Sequence, residues 1–216
     1  MSATIDPGHL GASEAYRLMT GIVVPRPIAW VTTLNAEGGV NLAPFSCYTF
    51  VSHQPVLVGI SIGRRPSGRK DTARNILREG EFILNVAHES EADLVHRSSE
   101  PLPPDVSEVE LLGLSTSPSR LRTPRLFSAP VALECVLERV VAFGDAPSEF
   151  FVGRVDLVYV REGLHRNGRI ESDELRPLAR VAGPNYSRVE TILRYSPRYQ
   201  QFPDRSSPAG EERSGA

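Results

Sequence analysis

Of the 24 lysines and arginines in this 216-residue chain, one is a lysine, Lys70. It closes the run Arg64-Arg65-Pro66-Ser67-Gly68-Arg69 and stands directly before Asp71-Thr72. The residues before the run, Val56 to Gly63, are strand-like, and those after it, Ala73-Arg74-Asn75-Ile76-Leu77, are helix-like. A strand that turns through glycine, proline and cations into a helix start is suited to an anion. Free backbone N–H groups and the positive end of the helix dipole point at such a turn.

Gly63-x4-Gly68 with Lys70 and Thr72 comes close to the triphosphate loop Gly-x4-Gly-Lys-Ser/Thr, but Arg69 is inserted and Asp71 separates the lysine from the hydroxyl. Each added residue turns the following groups by about 100° around the helix axis. The spacing therefore argues against triphosphatase chemistry. Taken alone, Lys70-Asp71-Thr72 also fits a plain helix start, with Asp71 as N-cap and a surface lysine.

Two further segments carry polar groups in unusual settings. In Pro25-Arg26-Pro27 a cation is fixed between prolines and leads into a strand ending in Thr32-Thr33. In Asn41-Leu42-Ala43-Pro44-Phe45-Ser46, Pro44 removes a donor within an extended run and leaves neighbouring amides for a ligand. Asn41 and Ser46 add donors there, while Leu42, Ala43 and Phe45 supply apolar surface. That mixture suits a flat heteroaromatic ring with polar edges.

Other chemistries find little support. The five histidines show no metal-ligand pair within one element, and His88 with His96 reads as an exposed helix face. No Gly-x-Ser-x-Gly elbow is present. Cys47 and Cys135 form neither CxxC nor a disulfide framework, and Cys47 reads as a packed core thiol. Trp30 reads as core.

The elements that must position these groups are mostly strands. Helices are expected at Ser13 to Met19, with Ser13 as N-cap, at Asp71 to Glu79 and at Glu89 to Arg97; a short piece, helical or irregular, is expected near Val106 to Leu112. Strands are expected at Ile28 to Thr33, Val40 to Val51, Pro55 to Ile62 and Glu81 to Val86. Two long ones follow, Pro130 to Phe143 and Phe150 to Arg161, and then a short one at Leu175 to Val181. Many strands with few helices argue for a mainly β antiparallel barrel with peripheral helices. Residues 1–199 read as one domain and 200–216 as a disordered tail. A net charge of −2 gives no field for nucleic acid, and no apolar stretch reaches the length of a membrane span. A cytoplasmic protein is expected.

Four stretches in order resemble the signatures of the flavin reductase-like, FMN-binding split-barrel family. They are Pro25-Arg26-Pro27 with Thr32-Thr33, Asn41 to Ser46, Lys70-Asp71-Thr72 with Asn75, and Arg180-Val181-Ala182-Gly183-Pro184-Asn185-Tyr186. The resemblance spans about residues 15–190 and implies an antiparallel split β-barrel, usually a homodimer, with FMN near the dimer interface. It implies that Asn41, Leu42, Ala43 and Ser46 line the isoalloxazine, with Thr32 and Thr33 at ring or ribityl groups. It places Ser61, Gly63, Lys70, Asp71 and Thr72 at the phosphate, with Arg26 nearby and Asp71 capping backbone amides.

The implied activity is an NAD(P)H-dependent flavin reductase that passes electrons or reduced flavin to a monooxygenase or another acceptor. No side chain is singled out as catalytic, since the flavin supplies the chemistry. Family reductases often carry histidine at the start of the late strand, where this chain has Glu149-Phe150-Phe151. That departure favours the alternative, a tightly bound FMN electron carrier without nicotinamide oxidation.

Overall fold

In the computed structural model, the described residues are 2–145 and 148–195. Helix α1 (Ala12–Ile22) leads through β1 (Arg26–Pro27) into β2 (Ala29–Leu34), β3 (Val40–Phe45), β4 (Tyr48–His53) and β5 (Val56–Gly63). Then come α2 (Asp71–Glu79), β6 (Glu81–Val86), α3 (Ala92–Arg97), α4 (Glu108–Leu111), β7 (Thr116–Ser117) and β8 (Arg125–Leu126). The long strands β9 (Val131–Phe143) and β10 (Ser148–Val160) precede β11 (His165–Arg166) and β12 (Arg169–Ile170). The last elements are α5 (Ser172–Leu175), β13 (Leu178–Arg180) and β14 (Tyr186–Arg188).

Seven strands form one antiparallel sheet in the order β3-β2-β6-β9-β10-β5-β4. Its two edges, β3 and β4, are consecutive in the chain and joined only by Ser46 and Cys47. The sheet therefore curls until its edges meet without pairing, and the Ser61 N–H donates to the Cys47 carbonyl at 2.7 Å beside that seam. This is a split barrel, mainly β and antiparallel as expected. Ala29, Val31, Phe45, Ile60, Phe82 and Phe151 fill its interior, and α2 closes one opening with Ala73 and Ile76.

Strand alternation sends the other set outward. Trp30 and Leu42 pack with Val95, Val109, Leu126 and Leu178 in a second core, beneath α3, α4 and the small sheet β1-β13-β14. Strand β2 is thus buried on both faces, which explains its unbroken Ala-Trp-Val-Thr-Thr-Leu run. Trp30 is core as expected, its indole N–H donating to Ser98 Oγ at 2.9 Å.

Helix α2 and strand β6 fall on the expected residues, and Gly80, in the left-handed region at φ 71°, ends the helix. Elsewhere boundaries differ. Helix α1 begins after Gly11 and runs past Gly21 to Ile22, because the Glu14 side chain accepts the Gly11 N–H in place of a Ser13 cap. The Glu89 to Arg97 segment is a 3-10 turn, Glu89–Glu91, before α3. Leu175 ends α5 instead of opening a strand, and the left-handed Arg176 redirects the chain into β13. Cys47 is exposed on the bend between the two edge strands, not packed; the buried thiol is Cys135. Among the described residues no helix is long and apolar enough to cross a membrane. The expected tail at 200–216 lies outside the described residues.

Candidate functional site

The turn between β5 and α2 holds four cations and the first turn of α2 adds a fifth, Arg74; four of the five have carboxylate partners. Arg64 and Arg69 both grip Glu149, at 2.9 and 2.8 Å, while Arg65 and Arg74 pair with Asp71. Lys70 forms no ion pair or hydrogen bond through its ammonium among the described residues; it lies over the Phe45 ring, 5.8 Å from the centroid. Burial, and the nearby Arg65 charge, hold its pKa below that of an ordinary lysine. A half-buried ammonium without a counter-ion at the mouth of a helix start is an anion receptor in want of an anion.

Lys70 occupies the N-cap position of α2 and gives no side-chain cap. Asp71 is the first helical residue, held by Arg74 and Arg65, so it does not cap the amides as expected. The helix start keeps its free N–H groups. Thr72, buried beside it, accepts a hydrogen bond from Asn41 Nδ2 at 3.2 Å and retains its own hydroxyl proton for donation. Lys70, Asp71, Thr72, Asn41 and Ala43 border one small cavity of about 100 Å³, together with Glu108.

A second cavity of about 550 Å³ adjoins the first, sharing Pro44 and Ser99. Its walls include Ser46, Arg26, Tyr16, Arg17, Arg180 and Tyr186. Arg26 is buried and donates to the carbonyls of Thr20 and Val23, both at 2.6 Å, and of Val181 at 3.3 Å, and to Ser46 Oγ at 3.3 Å. It ties the end of α1 to the loop after β13, and it faces the larger cavity rather than the Lys70 end. Arg180 stacks on Tyr186, its guanidinium carbon 4.5 Å from the ring centroid, and donates to the tyrosine hydroxyl.

The structure brings Asn41, Ala43, Ser46, Lys70, Asp71 and Thr72 to this paired cleft, with Arg26 on its far wall. It does not bring the others. Thr32 and Thr33 are fully buried, the Thr32 hydroxyl donating to the Pro124 carbonyl at 2.8 Å and the Thr33 hydroxyl accepting from Asn75 at 3.1 Å. Leu42 points into the outer core, and its amide, one of those expected to serve a ligand, donates to Glu108 Oε2 at 2.9 Å. Position 44 on the same strand edge offers no amide at all, so β3 presents fewer donors than its sequence suggests. Ser61 and Gly63 sit on β5, outside both cavities.

Residue spacing gave no sign of Glu108, Arg17 or Ser99. Glu108 is 8% exposed and its pKa is raised, chiefly by burial, with the charge of Asp71 adding to it. It comes from a Ser/Pro-rich stretch without periodicity, and only the packing of α4 against β3 places it. Glu149 is 4% exposed, and its hydrogen bonds to Arg69 and Arg64 hold its pKa at about 2. It is an anionic anchor for the turn and offers no proton near neutral pH. No group of three or more His, Cys, Asp or Glu able to hold a metal occurs among the described residues.

Comparison with known proteins points one way. Residues 19–179 match the family described as flavin reductase like domain. Nitrilotriacetate monooxygenase component B from Bacillus cereus superposes with a TM-score of 0.86 at 34% identity, covering 90% of this chain and 99% of that one. The 2-nitrobenzoate 2-nitroreductase NbaA of Pseudomonas fluorescens gives 0.82 at 32% identity, over 92% and 98%. An FMN-binding protein from Thermus thermophilus, solved with bound 1-cyclohex-2-enone, gives 0.71 at 27% identity, over 90% and 100%.

Proposed function

The chain belongs to the flavin reductase-like domain family, and from that premise we propose that it is an FMN-dependent flavin reductase. In this reading it takes hydride from NADH or NADPH and passes electrons or reduced flavin to an acceptor such as a monooxygenase. The observation that carries the reading is Lys70: the one cation of its turn with no carboxylate partner among the described residues, at a free helix start, beside a hydroxyl and an amide. Those groups fit a phosphate monoester, which distinguishes FMN from riboflavin. Asn41, Ala43 and Ser46, along the split edge of the barrel, would hold the ring, while Thr72 and the α2 amides join Lys70 at the phosphate. The bound flavin supplies the hydride acceptor; the protein's part is to bind it, orient it and shield it. Relatives named as a monooxygenase component and an FMN-binding protein support the cofactor and the kind of acceptor.

A second reading, a bound FMN electron carrier without nicotinamide oxidation, is favoured by one observation. The start of the late strand, Glu149-Phe150-Phe151, lacks the histidine that family reductases often carry there, and Glu149 is locked between two arginines. One experiment separates the readings. Protein that stays yellow through gel filtration, and bleaches on anaerobic addition of NADH or NADPH, supports the reductase. Yellow protein that neither nucleotide bleaches supports the carrier, and protein that binds no flavin defeats both.

A further inference from the structure

The smaller cavity holds more acids than bases, an odd setting for an anion, and one of its acids resolves the conflict. Lys70 and Arg65 border it together with three carboxyl groups, those of Asp71, Glu100 and Glu108. Asp71 is spent on Arg65 and Arg74, and Glu100 is exposed, where solvent and salt screen it. Glu108 is different. It is 8% exposed and pairs with no lysine or arginine among the described residues. Its Oε2 accepts the Leu42 N–H at 2.9 Å, which leaves Oε1 as the place for a proton. Burial raises its pKa, and the charge of Asp71 adds to the rise. Strand β3, against which α4 packs, carries no titratable side chain from Val40 to Phe45, so Lys70, Arg65, Asp71 and Glu100 are the charges that face it. Beside them Thr72, 2% exposed, keeps its hydroxyl proton for donation into the same cavity.

We propose that Glu108 is a proton-linked anion-binding residue: as the neutral acid it donates to the anion held at Lys70, and as the carboxylate it repels that anion. The Leu42 amide keeps its acceptor in both states, because a carboxylic acid still accepts through its carbonyl oxygen. Binding of the anion draws one proton from water onto Glu108. That the anion is the FMN phosphate rests on the proposed function; the proton linkage itself does not. A bound anion holds the Glu108 proton more tightly than the free protein does. Affinity is therefore highest when Glu108 is neutral before binding, falls as pH rises through the window between its free and bound pKa, and levels off above it. That window opens above the ordinary 4.5, because the free protein already raises the group.

Two measurements test the proposal. In the first, flavin-free protein is titrated calorimetrically with sodium sulfate, a dianion at every pH used, in two buffers of different ionisation heat. About one proton taken up per sulfate is expected within the window. Lys70→Arg, whose charge does not titrate, should keep that uptake, and Glu108→Gln should abolish it. In the second, FMN is titrated by fluorescence across the same pH range. Parent affinity should fall by up to about tenfold per pH unit in the window, the limit for one linked proton. Glu108→Gln accepts from Leu42 and donates through its amide, as the neutral acid does, so it should match the parent at the acid end and hold that affinity into alkali. The second ionisation of the phosphate is common to both proteins and cancels in the comparison. The proposal is overturned if sulfate binds without proton uptake, if the uptake survives Glu108→Gln, or if the two FMN profiles run parallel. Should Glu108→Gln not fold, uptake persisting in Lys70→Arg supports the proposal and its loss there overturns it. Failure to bind flavin would defeat the proposed function and leave the sulfate titration readable.

Discussion

Lys70 and Glu149 divide the work of one turn. Glu149 takes up two arginines and Asp71 takes up two more, so the lysine alone is left for a ligand. Lys70→Ala should weaken FMN binding by roughly 1–3 kcal/mol, the worth of one charge-assisted hydrogen bond, as read by fluorescence titration. Unchanged affinity would make it an ordinary surface residue. Glu149 predicts an acid response. Its carboxyl, held at about 2 against an ordinary 4.5, contributes stability that is complete above the ordinary value and is lost as pH falls from there towards about 2. Its arginine partners are more than a third exposed, so solvent screens the effect. Glu149→Gln should lower the melting temperature at neutral pH and flatten its decline across that acid window; parallel curves would show that the pair contributes nothing. The cationic turn was legible in sequence because lysine is unique there. Its neutralisation by Glu149 was not, since that partner lies 80 residues away across the β5–β10 ladder.

At the scale of elements, β5 and β10 meet tightly where a glycine is required. A Cβ built on Gly59 would lie 2.0 Å from the Phe150 ring, which covers it from the neighbouring strand. Gly59→Ala should therefore force the aromatic aside and destabilise the fold by about 1–3 kcal/mol, the usual scale for overpacking. Urea denaturation would measure it, and a midpoint within error of the parent would show that Phe150 moves freely. Strand β3 carries the other lesson at this scale. Its sequence suggested free amides around Pro44, yet the Leu42 amide is closed by Glu108 from α4. A proline in an edge strand announces the edge; it does not say what covers the positions beside it.

The whole molecule leaves apolar surface uncovered. Helix α1 buries none of its residues, and Tyr16, Met19 and Ile22 are exposed along it, as are Phe50 and Val51 on the edge strand β4. A second copy is the occupant that the family resemblance implies, and burying such side chains contributes about 1.5–3 kcal/mol each. Light scattering should give twice the chain mass, and Met19→Glu or Phe50→Glu should shift it towards one; a monomeric parent would exclude the homodimer. From the sequence alone came the strand-rich antiparallel class, α2 and β6 on their residues, and a cation at a helix start. These follow from local periodicity, capping and charge, which neighbouring residues carry. Only the tertiary structure decided that the sheet splits between β3 and β4, that Thr32 and Thr33 are sealed inside, and that Arg17, Arg26 and Arg180 share one cavity with no acid among the described residues that line it. Those facts depend on which distant strands and loops meet, and no short stretch of chain encodes such a meeting.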